Sequence, residues 1–200
     1  LRVLYLTLAV IAADQLSKLA VKGIKLDLLG INLNGMPYGS SRNVFGNFTR
    51  ITFVENPGMA FGSQLIPRPL LIIFVLLASS VMFYYIYKNR AQNFKLRLAL
   101  SFILAGALGN LLDRIFYGYI YKYAPFFYGK VVDFIQVECW DFTFLGRTYT
   151  TWPIMNVADL SVTAGFALLI LFHKQIFKPA EIQESIPGTE ALEKETFKLS

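Results

Sequence analysis

Charge, histidine and cysteine are all scarce in this chain. Of its 200 residues, 16% are Asp, Glu, Lys or Arg, against about a quarter in an ordinary soluble domain. With 55% hydrophobic residues and a mean hydropathy of +0.48, that shortage argues against a water-soluble globule and against disorder. The single cysteine, Cys139, excludes an intrachain disulfide framework and any multi-cysteine zinc site. The single histidine, His173, leaves little room for a histidine-based site. The net charge of +6 would suggest nucleic acid in a soluble protein. Here membrane topology accounts for it better, and no nucleic-acid partner is expected.

The apolar residues gather in four stretches of a length that can cross a bilayer, roughly 20 residues each. They lie at about 3–20, 70–87, 96–117 and 153–172. The first is expected to be a retained helix, because Asp14 and Lys18 interrupt what would be the apolar region of a cleavable signal peptide. Lys88, Arg90, Lys95 and Arg97 crowd the short connection between the second and third spans, and Lys174 and Lys178 follow the fourth. The longer segments 21–69 and 118–152 carry five and three Lys or Arg. The positive-inside rule then predicts cytoplasmic termini, external loops at 21–69 and 118–152, and a cytoplasmic tail at 179–200 after one membrane domain, 1–178. The fold class expected is an all-α polytopic membrane protein with four spans and a small external β-cradle. That cradle is expected in the first long loop, where Val44-Phe45 and Ile51-Thr52-Phe53-Val54 alternate with turn glycines. Residues 116–149 are rich in Phe, Tyr and Trp, side chains that favour the headgroup level.

Ionisable residues inside a membrane mark function by default. In this topology Asp14, Lys18, Asn110, Asp113, Arg114, Asn156 and Asp159 all fall in the outer halves of their spans, and Asp133 lies in the second external loop. A bundle that needed only polar glue would not segregate it to one end. Asp14 and Lys18 are an i,i+4 pair, best read as a structural salt bridge. Asn110, Asp113 and Arg114 share a helix face; Asp113 can meet a loop amide and Arg114 a ligand carbonyl. Asp133, framed by Val131-Val132 and Phe134-Ile135, and Asp159, in Met-Asn-Val-Ala-Asp, have no local cation. Two carboxylates facing each other in a poorly hydrated site share a proton and can activate water. Their 26-residue separation leaves that pairing open on sequence alone. His173 follows Asp159 by 14 residues on the same span, roughly 21 Å away at helical rise, so a histidine triad is excluded. Cys139 reads as an inert thiol. No cofactor and no metal are expected.

Five motifs in one order narrow the field: Asp14-Gln15-Leu16-Ser17-Lys18, Asn56-Pro57-Gly58-Met59-Ala60-Phe61, Gly106-Ala107-Leu108-Gly109-Asn110-Leu111-Leu112-Asp113-Arg114, Val132-Asp133-Phe134-Ile135 and Asn156-Val157-Ala158-Asp159. Their order and spacing resemble the lipoprotein signal peptidase family, the signal peptidase II of bacteria. The resemblance implies an aspartyl endopeptidase of the bacterial cytoplasmic (inner) membrane that cleaves diacylglyceryl-modified prolipoproteins just before the lipidated Cys. It implies Asp133 and Asp159 as the catalytic pair. It implies Asn56, Gly58, Asn110, Arg114 and Asn156 as substrate-binding residues, with Asp14, Lys18 and Asp113 in structural support. It implies membrane lipid as a partner, peptide-like inhibitors in the same pocket, and a short helix near Asn56. Met155 and Ala105 depart from the family's usual Phe and Gly at those places. Two other readings compete: a transporter, which needs polar residues along the whole bundle, and a non-catalytic scaffold for lipidated peptides, which does not need both Asp133 and Asp159.

Overall fold

The structure is a computed structural model that describes residues 2–26, 30–46, 48–58, 67–91, 93–144 and 147–176, with backbone alone for 26, 139–144 and 147–151. The tail at 179–200, Met59-Ala60-Phe61 with the short helix expected there, and the thiol of Cys139 lie outside what is described.

Helix α1, Val3–Lys22, runs until Gly23 adopts φ 73°, a left-handed value that a residue with Cβ disfavours. Helix α2, Arg68–Lys88, opens on a Pro in its first turn, where the missing N–H costs nothing. Asn93 caps α3, Phe94–Leu112, by accepting a hydrogen bond from the Leu96 N–H at 3.1 Å. The helix continues as a π-helical turn, Asp113–Tyr117, and a short α4, Gly118–Ile120. Helix α5, Val157–Leu171, is followed by α6, His173–Ile176. Three helical stretches, Val3–Lys22, Arg68–Lys88 and Phe94–Ile120, are long and apolar enough to span a membrane; α5 is apolar but shorter. Their outward faces are apolar, as in Leu8, Leu16, Phe74, Leu77, Phe166 and Ile170. A helix apolar all round is at rest only in a core or in lipid. The chain is a multi-pass membrane protein.

Helices α1, α3 and α5 form the bundle core, with α2 against α3. Small residues bring α3 and α5 together: a Cβ on Gly106 would stand 2.2 Å from the Ala158 carbonyl oxygen, and one on Gly165 2.7 Å from that of Ala99. Thr7 and Ser161 donate to the carbonyls of Ser101 and Phe102 at 3.1 and 2.7 Å. Away from the site end, the buried polar side chains of the described residues are hydroxyls such as these, and no charge lines the bundle as a proton path would require.

The all-α expectation needs correction. Strands β1, Gly23–Leu26, and β2, Ile31–Asn34, form a hairpin. Strands β3, Ser41–Phe45, β4, Thr49–Asn56, β5, Val131–Phe144, and β6, Arg147–Thr151, form an antiparallel sheet in that order. The sheet is therefore not confined to the first long loop; its longest strand comes from the second. The physical reason lies in the Val-Val-Asp-Phe-Ile run, whose β-branched and aromatic residues suit a pleated, covered surface. Val132 and Phe134 bury with Val21, Phe53 and Tyr117 in one apolar cluster at the helix ends. The fourth helix also begins four residues later than the apolar run. Residues 153–155 stay extended because Met155 bridges to Ile135, its N–H donating to the Ile135 carbonyl at 3.0 Å and its carbonyl accepting from the Ile135 N–H at 2.7 Å.

Candidate active site

The Met155–Ile135 bridge brings the two distant carboxylates to one place. Asp133 stands two residues before Ile135 on β5, and Asn156 directly follows Met155. Asn156 is the N-cap of α5, and Asp159 is its third residue. The Asn156 side chain accepts from the Asp159 N–H at 3.0 Å, and Asp159 Oδ2 accepts from the Asn156 N–H at 3.1 Å. This is a reciprocal capping box. Asp159 consequently sits in the first turn of α5, shallower than a helix begun at 153 would put it.

Asn156 is fully buried, and its amide nitrogen donates to Asp133 Oδ1 at 2.6 Å and to Asn110 Oδ1 at 3.0 Å. The Asn110 amide in turn donates to Asp159 Oδ1 at 2.8 Å. One asparagine from α5 and one from α3 thus tie the two carboxylates into a single network. Asp133 is 4% exposed and Asp159 half-buried. Burial, and then the charge of Asp159, push the Asp133 carboxyl up to about 7, against hydrogen bonds from Asn156 and Asn56 and the charge of Lys18. A carboxyl with that affinity keeps its proton well above the usual carboxylate range.

Below the pair lies a second layer. Lys18, wholly buried, forms ion pairs with Asp14 at 2.7 Å and Asp113 at 2.8 Å and donates to Asn110 Oδ1 at 3.0 Å. Asp14 Oδ1 accepts from the Ala158 N–H at 2.9 Å, and Asp113 Oδ2 from the Val132 N–H at 3.2 Å. The residues next to Asp159 and next to Asp133 are therefore each held by a carboxylate bound to the same ammonium. Gln15, quoted above merely as part of a motif, closes this layer: its amide nitrogen donates to Asp113 Oδ1 at 2.9 Å, and its oxygen accepts from the Tyr117 hydroxyl at 3.1 Å. Its position next to Asp14 is the signal that could have found it. A Cβ on Gly109 would lie 2.7 Å from Asp14 Oδ2, so this approach requires glycine.

Arg114 donates to the Asn110 carbonyl at 3.2 Å, and its charge falls among those of Asp113, Asp133 and Asp159. Its Nε is buried and unpartnered among the described residues. Asp113 and Arg114 are adjacent in the π-helical turn and have different hydrogen-bond partners, Asp113 in the Lys18 layer and Arg114 at the Asn110 carbonyl. Such single π turns recur at functional sites. Asn56, at the end of β4, faces Val131 in the sheet register, and its side chain bonds Asp133 and accepts from the Gly58 N–H at 2.9 Å. Gly58 takes φ 86°, a conformation open chiefly to glycine. Among the described residues no three His, Cys, Asp or Glu side chains converge as a metal-binding group.

The model of the family described as signal peptidase (SPase) II matches residues 6–174. The chain belongs to the signal peptidase II family. The curated relatives it matches include the lipoprotein signal peptidase of Chlorobaculum parvum, 34% identical over 176 residues that cover 87% of this chain and 96% of the relative. That of Chlorobium phaeobacteroides is 31% identical over 139 residues, 70% of this chain and 76% of the relative. A solved bacterial membrane enzyme is 27% identical with a TM-score of 0.65 over 90% of this chain and 94% of that one. Membership makes the chain an aspartic peptidase of the membrane.

Proposed function

We propose that this peptidase removes signal peptides from diacylglyceryl-modified prolipoproteins, with Asp133 and Asp159 as its catalytic dyad, cutting before the lipidated Cys. The observation that carries the reading is the bridging by Asn156 and Asn110 of two carboxylates, one of them held near pKa 7. Asp159, ionised, takes a proton from a water between the carboxylates. Asp133, protonated, donates to the scissile carbonyl oxygen as the water oxygen bonds to the carbonyl carbon. The resulting gem-diol collapses as the C–N bond breaks: Asp133 takes back a hydroxyl proton while the carbonyl reforms, and the proton now on Asp159 passes to the departing amine of the lipidated Cys. Asn56, Gly58, Asn110, Asn156 and Arg114 are proposed to hold the peptide backbone, the free Nε of Arg114 supplying an unused donor.

The density of Lys and Arg at 88–97 and after α5 supports cytoplasmic termini and a site at the outer face of the inner membrane. A substrate with acyl chains then reaches the dyad laterally through lipid, and peptide-like inhibitors of the family are proposed to occupy the same place. The test is cleavage of matched synthetic peptides with diacylglyceryl-Cys or plain Cys. The expected result is cleavage of the lipidated peptide alone, before Cys. Equal cleavage of both, or cleavage at another bond, rejects the substrate assignment.

A further inference from the structure

Residues 116–130, which follow the end of α3 that carries Asn110, contain eight Phe or Tyr in fifteen positions, two Lys and no acid. The structure divides these rings into two sets. Tyr117, Tyr121 and Tyr123 surround the ammonium of Lys22, with ring centroids 5.9, 4.1 and 5.0 Å away, and Lys22 pairs with Glu55. Further bonds hold the segment in place. The Tyr121 hydroxyl donates to the Gly23 carbonyl at 2.7 Å, the Tyr123 hydroxyl accepts from the Lys130 N–H at 2.8 Å, and the Arg68 side chain donates to the Tyr128 carbonyl at 3.1 Å. The second set is Phe116, Tyr119, Phe126, Phe127 and Tyr128, each at least 40% exposed. Tyr119 and Phe126 stack at 4.3 Å, with Phe116 edge-on to Phe126 at 6.1 Å, so these three rings form one outer patch, which Phe127 and Tyr128 follow in the chain.

We propose that this outer face is a docking surface for the headgroup layer of the bilayer that the chain itself spans, and that it fixes the depth of β5 and hence of Asp133. An ordered segment does not hold five rings in water when an apolar medium is adjacent. The face continues the lipid-exposed surface of Phe94–Ile120, whose 27 residues exceed the hydrocarbon thickness and so end at the headgroups. The charged side chains beside it, Lys122 and Arg68, are cationic, which suits anionic lipid, while Lys130 turns to Glu55 and Tyr123. The coupling to the site is short: the Phe127 N–H donates to the Ile115 carbonyl and the Gly129 N–H to that of Arg114, two residues before β5 begins. The proposal needs the membrane-spanning reading but not the dyad.

The test uses the full chain with Trp140 and Trp152 changed to Phe and Phe126→Trp as the reporter, in phosphatidylcholine–phosphatidylglycerol vesicles. Lipid brominated high on its acyl chains should quench the reporter, and aqueous iodide should not. Quenching by iodide alone overturns the docking, and so does iodide protection that grows with protein density, which would mean a second copy covers the face. In a second arm Phe126→Ser with Phe127→Ser should lower cleavage about tenfold in vesicles, by loss of an interfacial anchor, and leave it unchanged in detergent micelles. Equal rates for variant and parent in vesicles overturn the depth-setting role while leaving the cleavage reading untouched.

Discussion

Asn156 meets both carboxylates, its side-chain amide donating to Asp133 and its backbone N–H donating to Asp159 at the cap of the helix that carries Asp159. That sharing makes the residue-scale predictions unequal for the two acids. Asp133→Asn keeps an oxygen for the Asn156 amide. Its unfolded carboxyl titrates near 3.8 and its folded one at about 7, so the folded parent holds a proton that the unfolded chain releases between those values. Parent stability therefore falls as pH rises through that window and levels off above it. Asp133→Asn should match the parent below the window and be the more stable above it, as thermal melts across pH would show. Asp159→Asn has one carbonyl where two oxygens are used, so either the bond from Asn110 or that from the Asn156 N–H is lost, at about 0.5–1.5 kcal/mol. Cleavage by the parent should follow a bell in kcat/KM whose alkaline limb lies near 7, with apparent values that belong to the pair. A profile flat from mildly acidic to mildly alkaline pH would contradict the shared proton.

At the scale of elements, the site is a junction of four chain segments held by one lysine. Lys18→Ala leaves Asp14 and Asp113 buried without their cation, and breaking a buried pair in this way costs about 3–5 kcal/mol. Expression and melting temperature should fall first; a stable but wholly inactive Lys18→Ala protein would move Lys18 into the chemistry. Gly109→Ala drives a methyl into Asp14 and toward Ala158, and should lower both melting temperature and turnover. An unchanged melt would mean that α3 and α5 have slack. Much of this junction was legible. Asp14 and Lys18 are spaced as helical neighbours, Asp113 was expected to meet a loop amide and finds that of Val132, and Ala105-Gly106-Ala107 announces close packing. The Asn-x-x-Asp spacing of a capping box was also present, yet the apolar Pro153–Ile154–Met155 run disguised it as helix. Nothing local reveals that Met155 pairs with Ile135, because strand pairing across so many residues depends on the whole fold.

For the whole molecule, composition alone was enough for a membrane protein, since a chain this poor in charge cannot cover itself in water. The second long loop was harder. β5 offers no period-two pattern to read, since Val131, Val132, Asp133 and Phe134 are all buried, and a sheet drawing strands from two distant loops leaves no local signature. Orientation is tested by labelling single cysteines in a Cys139→Ser background. Lys122→Cys should react with an impermeant reagent applied outside the cell and Asn89→Cys only after permeabilisation; the reverse would put the dyad on the cytoplasmic face. The most direct measurement of the central claim uses purified parent, Asp133→Asn and Asp159→Asn with one diacylglyceryl peptide, following binding and bond cleavage in the same samples. The dyad predicts that both variants are folded, bind the peptide and give no cleavage product. Turnover within about tenfold of the parent in either variant, a loss far smaller than removal of a catalytic group causes, would contradict it.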